Sequence, residues 1–121
     1  MADWAGFLAF ATRLALEDGE AELRSAISRA YYSAYNDARR CVSIKEPTYS
    51  FRDADHAKVW DWFASQAGQV AQVATLGGGL RRKRNQADYD ASASKFLKQE
   101  AADALVKARR ILALLELFRS K

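Results

Sequence analysis

The chain has 121 residues, half of them hydrophobic and 28% charged, a balance that supports one packed domain over residues 1–121 and excludes a disordered or collagen-like chain. Its net charge of +4 equals the charge of Arg81, Arg82, Lys83 and Arg84 alone, so the basic excess sits in one short segment and points to a local anionic partner. Cys41 is the one cysteine, which excludes an internal disulfide and a multi-thiolate metal site within the chain.

Six glycines and one proline among many alanines, leucines and arginines favour helices. Asp3 can cap a first helix, with Phe7, Leu8, Ala11, Leu14 and Ala15 on one stripe and Asp18-Gly19 as the stop. A second helix is predicted from about Glu20 to Ser43. There Leu23, Ile27, Ala30, Tyr31, Ala34, Ala38 and Cys41 recur at steps of three and four. Pro47 lies in a polar break, Ser43 to Arg52, that cannot continue it.

Asp53 or Asp55 can cap a third helix whose apolar side carries His56, Val59, Trp60, Phe63 and Ala67. Gly68 opens a looser stretch. Gly77-Gly78-Gly79 would cost a helix roughly 1 kcal/mol per residue relative to alanine, so a break is expected there. Next comes a short basic helix, Leu80 to Asp88, with Asp88 and Asp90 able to cap the turn after it. Ser92 or Ser94 can cap the last long helix, striped by Leu97, Ala101, Ala104, Leu105, Ala108, Ile111, Leu112, Leu115 and Phe118. No strand alternation or repeat interrupts this pattern. The expected fold is all-α: an antiparallel up-and-down bundle of two long helices and two or three shorter ones, the alanines letting the long axes approach closely. No run of 18 apolar residues occurs, so no membrane span is expected. With no basic and apolar leader visible, a cytoplasmic address is the expectation.

Three groups of residues carry possible chemistry. In Arg29-Ala30-Tyr31-Tyr32-Ser33-Ala34-Tyr35, Tyr31 and Tyr35 share the buried side. Tyr32 points about 100° away and, with Arg29, is free for a ligand or a dimer face. Trp4 and Trp62 are further aromatics expected to be exposed and able to serve such a face. His56, the lone histidine, has no carboxylates spaced to build a metal site with it and reads as a structural residue of a helix start. The segment Arg81-Arg82-Lys83-Arg84-Asn85-Gln86-Ala87-Asp88-Tyr89 joins phosphate-gripping guanidinium groups to an aromatic, which suits single-stranded RNA. Arg84 and Asp88, at i and i+4, can equally form a plain surface ion pair.

Read together, Arg29-Ala30-Tyr31-Tyr32-Ser33-Ala34 and Arg84-Asn85-Gln86-Ala87-Asp88-Tyr89 resemble the HEPN superfamily, especially its small stand-alone bacterial members, and His56 followed by Val59 and Phe63 resembles its third helix. The resemblance runs roughly from Glu20 to Phe118. It implies a helical bundle that forms a homodimer, binds RNA and, in active members, cuts it without metal or other cofactor in toxin–antitoxin or phage-defence settings. It also implies a nucleotidyltransferase-like protein partner. By position Arg84 matches the family's catalytic arginine and Asn85 its polar neighbour. Asp88 would orient Arg84, while Arg81, Arg82, Lys83, Arg29 and Tyr32 would contact RNA. Tyr89 stands where the family's histidine is expected. An unperturbed tyrosine titrates near about 10 and is a poor base at pH 7. Three readings stay open: an RNA-binding homodimer with or without endoribonuclease activity, a non-catalytic module that holds a protein partner or a nucleotide, or a plain helical adaptor with no ligand.

Overall fold

The computed structural model describes residues 4–49, 55–89 and 96–120, and these are helical apart from short connections. Among the described residues five α-helices pack together: α1 Trp4–Leu14, α2 Glu20–Lys45, α3 His56–Ala64, α4 Gln72–Tyr89 and α5 Leu97–Arg119, with a 3₁₀ turn, Gln69–Ala71, leading into α4. The expected capping residues Asp3, Asp53, Asp90, Ser92 and Ser94 lie outside the described residues.

Helix α2 begins with Glu20 and Glu22 in its first turn, where carboxylates complement the helix dipole. Its expected stripe, Leu23 to Cys41, is buried throughout. It shares its most extensive interface with α5 and the next with α1. Ala26, Ala30, Ala34 and Ala38 on α2, and Ala101, Ala104 and Ala108 on α5, are fully buried, so backbone can approach backbone across the centre of the bundle. Tyr31, Phe63, Ile27, Leu80 and Ile111 fill the space the alanines leave, each contributing about 1.5–3 kcal/mol by leaving water.

Helix α4 corrects one expectation. It runs unbroken through Gly77, Gly78 and Gly79. The reason is tertiary: a Cβ on Gly77 would lie 2.2 Å from Cε3 of the buried Trp60 indole on α3. Only a bare Cα lets α4 pass over that ring, and burying the tryptophan offsets the helix cost of glycine. Asp88 sits in the last turn of α4, and the turn after it lies outside the described residues. Two burial expectations also change. Helix α3 ends at Ala64, which leaves Ala67 exposed beyond it. Trp62, expected among the exposed aromatics of a dimer face, is buried edge-on against Phe63 and Phe118.

Side chains tie the helix ends together. Arg24 of α2 donates to the Ala87 carbonyl at 2.6 Å, satisfying a last-turn acceptor of α4. Lys98 of α5 donates to the Leu16 and Glu17 carbonyls after α1. Arg119 reaches Asp37, 2.9 Å away, and fixes the end of α5 to α2. Among the described residues no helix is long and apolar enough to cross a membrane.

Candidate anion-binding crevice

A helix repeats every 3.6 residues, so positions 77, 80, 81, 84 and 88 of α4 fall on one side. Gly77 and Leu80 fill the core there. Arg81 and Arg84 follow them toward the tyrosines of α2, and Arg84 keeps only 13% of its side chain exposed. Its guanidinium carbon lies 5.4 Å from the centroids of both the Tyr31 and Tyr32 rings. Asp88 pairs with it at 3.3 Å, the i,i+4 contact anticipated from sequence.

Arg81 has no such carboxylate. It makes no hydrogen bond or ion pair among the described residues, and the Nε atoms of both Arg81 and Arg84 are buried without an acceptor. Buried guanidinium N–H groups left unpaired are costly, and an ordered water or an anion can complete them.

The wall of the crevice is aromatic. The Tyr31 hydroxyl and His56 Nδ1 share a hydrogen bond of 2.7 Å, and Trp60 Nε1–H donates to the same hydroxyl at 3.3 Å. The His56 ring stacks on Tyr35 with centroids 4.0 Å apart, and Tyr32 meets it edge-on. Burial pushes the Tyr31 phenol from 10.0 up to about 12, although the Trp60 hydrogen bond and the charges of Arg81 and Arg84 pull the other way. The hydroxyl therefore keeps its proton at neutral pH. His56, read from sequence as a structural residue, has Tyr31 and Tyr32 as ring neighbours in common with Arg84. Periodicity could place it and Tyr31 each on an inward face; that they meet is a fact of tertiary packing.

The other residues singled out from sequence are dispersed. Asn85 and Tyr89 lie roughly 100° and 140° around α4 from Arg84, and Tyr89 is 79% exposed, so Arg84, Asn85 and Tyr89 do not converge within one chain. Arg82 is exposed on that same outward side. Lys83 faces α5, where it pairs with Glu100 and with Asp103 at 2.9 Å, and is thereby spent on structure. Arg29 lies on another face of α2, its guanidinium 4.7 Å from the Phe10 ring. Among the described residues no three of His, Cys, Asp and Glu come together as a metal centre requires. A separate cleft of about 350 Å³, lined by residues such as Val70, Leu114 and Phe118, has no residue in common with the arginine crevice.

The Lys83 cluster predicts a pH response. Burial pulls the Lys83 ammonium down, but hydrogen bonds to Glu100 and Asp103 outweigh it and hold the group above 10.5. Lys83 and Lys107, acting against a smaller burial effect, hold the Asp103 carboxyl below 3.8. A raised lysine contributes stability below its unfolded value that vanishes as pH rises through the folded one. A lowered carboxyl contributes above 3.8 and loses its share as pH falls through its folded value. Asp103→Asn should therefore lower the thermal midpoint at pH 7, and the difference from wild type should close both below pH 3.8 and above pH 10.5. Thermal scans across pH measure it.

Comparison with protein-family models, with curated proteins and with solved structures finds no match for this chain. The chain is an all-helical bundle in which arginines of α4 stand against a cluster of aromatic rings.

Proposed function

We propose that this is an RNA-binding protein of the HEPN kind, acting as a homodimer, in which Arg81 and Arg84 grip the phosphodiester backbone. One observation carries the reading: Arg81 is a partly buried guanidinium with no carboxylate partner among the described residues, next to Arg84, and both Nε–H groups lack an acceptor. A phosphate supplies the negative charge and the oxygen acceptors these groups lack, and arginine's planar fork suits it. Tyr32, half-exposed beside Arg84, gives a face on which a base can stack. Arg82, Asn85 and Tyr89, outward on the same helix, would meet the continuing strand or a second copy of α4 across a twofold axis. Cleavage, where it occurs, is metal-independent endonucleolysis in a toxin–antitoxin or defence setting.

A second reading is favoured by Tyr89, which is 79% exposed and turned away from Arg84, so the residue at the family's histidine position does not meet that arginine within one chain. In that reading the protein is a non-catalytic module that holds RNA, a nucleotide or a nucleotidyltransferase-like protein without cutting anything. Incubating the pure protein with labelled single-stranded RNA in EDTA separates the two. Cleavage products lost in Arg84→Ala support the nuclease, and intact bound RNA supports the module. Affinity should fall steeply between low and moderate salt, and Arg84→Ala should flatten that slope by about one phosphate contact. Identical RNA patterns and identical affinities for wild type and Arg84→Ala would overturn both RNA readings.

A further inference from the structure

Charge and ring alternate across three helices. Arg84 of α4 lies against Tyr32 of α2, its guanidinium carbon 5.4 Å from the ring centroid. Arg29 stands one turn before Tyr32 on α2, about 60° around the helix, which puts their Cβ atoms roughly 5–6 Å apart. The Arg29 guanidinium in turn lies 4.7 Å from the Phe10 centroid and 5.6 Å from that of Phe7, both on α1. Arg13, one turn after Phe10, ends the series at 5.4 Å from the same ring. The order in space is cation, ring, cation, ring, cation, leading from the crevice across α2 and on to α1.

Two properties separate this surface from ordinary helix packing. Neither Arg13 nor Arg29 has a carboxylate partner among the described residues, so both charges are uncompensated. Phe7, Phe10, Arg29 and Tyr32 are half-buried and Arg13 is exposed, so this stretch stays within reach of a ligand. A guanidinium resting on a ring still carries N–H donors around its edge, and those suit a phosphate. Single strands are held by this combination, a cationic track along the backbone with aromatic and guanidinium faces for the bases. A duplex keeps its base faces inside the stack and gives the rings nothing to take.

We infer that Arg29, Phe10 and Arg13 continue the crevice as a track for unpaired RNA, so that the ligand is a single strand spanning α4, α2 and α1 rather than a duplex or a mononucleotide. The inference rests on the RNA reading of the crevice and extends it by a second surface. An anionic membrane also attracts cations beside aromatics, but it takes rings that project free into the lipid. Here guanidinium groups lie over the Phe7 and Phe10 rings, and the rings are half-buried. That arrangement favours the strand.

Fluorescence anisotropy with labelled oligouridylates of about 4 and about 10 nucleotides, at one fixed salt concentration, tests it. Wild type should bind the longer strand roughly tenfold more tightly than the shorter, and annealing it to its complement should abolish the gain. Arg29→Met keeps an apolar stem against the phenylalanines and should remove most of the gain. Arg13→Met, at an exposed position that leaves the fold intact, should cost the longer strand about threefold, the size of one exposed contact. It should also flatten the salt slope by about one phosphate contact. Neither substitution should change the affinity for the short strand.

Equal affinities for the two lengths overturn the inference, as does long-strand binding unmoved in both variants. An Arg29→Met protein that loses affinity for both strands alike, with Arg13→Met silent, makes Arg29 a structural residue and also overturns it. So does binding to phosphatidylglycerol vesicles that the two substitutions weaken while RNA binding stays as it was. Weakening of both strands by Arg84→Ala, with Arg13→Met and Arg29→Met silent, leaves the crevice reading standing and refutes the track. Long-strand binding that needs Arg13 and Arg29 but neither Arg81 nor Arg84 upholds the track and refutes the crevice.

Discussion

Replacing Gly77 with alanine should destabilise the protein, while the same replacement at Gly78 or Gly79 should stabilise it. All three residues lie inside α4, and in isolation each change gains about 0.5–1 kcal/mol of helix propensity. At Gly77 the new methyl would stand 2.2 Å from the Trp60 ring, which is buried and fixed from its other side by the bond to Tyr31. Relief requires α4 to lift off α3 or the indole to turn. Overpacking of this kind typically costs about 1–3 kcal/mol, enough to exceed the propensity gain. At Gly78 a Cβ meets only the end of the flexible Arg82 side chain at 4.0 Å, and at Gly79 only Lys107 and Arg82 side-chain atoms at ordinary contact distance. Urea or thermal unfolding of the three single variants measures the sign at each site. A Gly77→Ala protein as stable as Gly78→Ala would mean that α4 does not press its bare Cα against the Trp60 ring. The displacement forced by the methyl would also move Arg81 and Arg84 off the aromatic wall, so Gly77→Ala should weaken RNA binding where Gly78→Ala leaves it unchanged.

The glycine run shows where sequence reading stops. Propensity is local, and three successive glycines read locally as a break; what overrides it is Trp60, on another helix and seventeen positions before Gly77. The long helices were legible for the opposite reason. In α2 and α5 the residues that repeat every three and four positions are those that pack, so period alone gives both the element and its buried face. Half of the crevice was legible in the same way. Arg84 and Asp88 are one turn apart and pair as that spacing implies. Arg81 shares their face by the same count. The grouping of Arg84 with Asn85 and Tyr89 came from family likeness, and the helical step separates them on the monomer. His56 was beyond reach, because its partner Tyr31 is 25 positions away on a different helix and no pattern within either segment specifies their meeting.

Arg81→Met should do two things at once: weaken RNA binding by about 10- to 100-fold and raise the thermal midpoint of the free protein. The binding loss comes from removing charge-assisted hydrogen bonds to phosphate, worth about 1.5–3 kcal/mol. The stability gain comes from the state of Arg81 without ligand, a partly buried cation close enough to Arg84 for both to act on the Tyr31 phenol, and with no carboxylate to pair with among the described residues. Methionine keeps an unbranched apolar stem as far as the position of Nε while removing that uncompensated charge and the buried, unpaired Nε–H. A gain on the order of 1 kcal/mol is expected, as at sites where binding residues are held against the interest of folding. A structural arginine predicts the opposite sign, since its loss would remove packing or pairing on which the bundle depends. Arg84→Met provides the contrast within the same crevice. Its Asp88 partner would be left with an unmatched charge, but that side chain is 28% exposed and water can take up the loss, so stability should change little while binding falls. Differential scanning calorimetry of the two variants, beside RNA titrations at one fixed salt concentration, therefore distinguishes a crevice kept open for an anion from one that merely holds helices together.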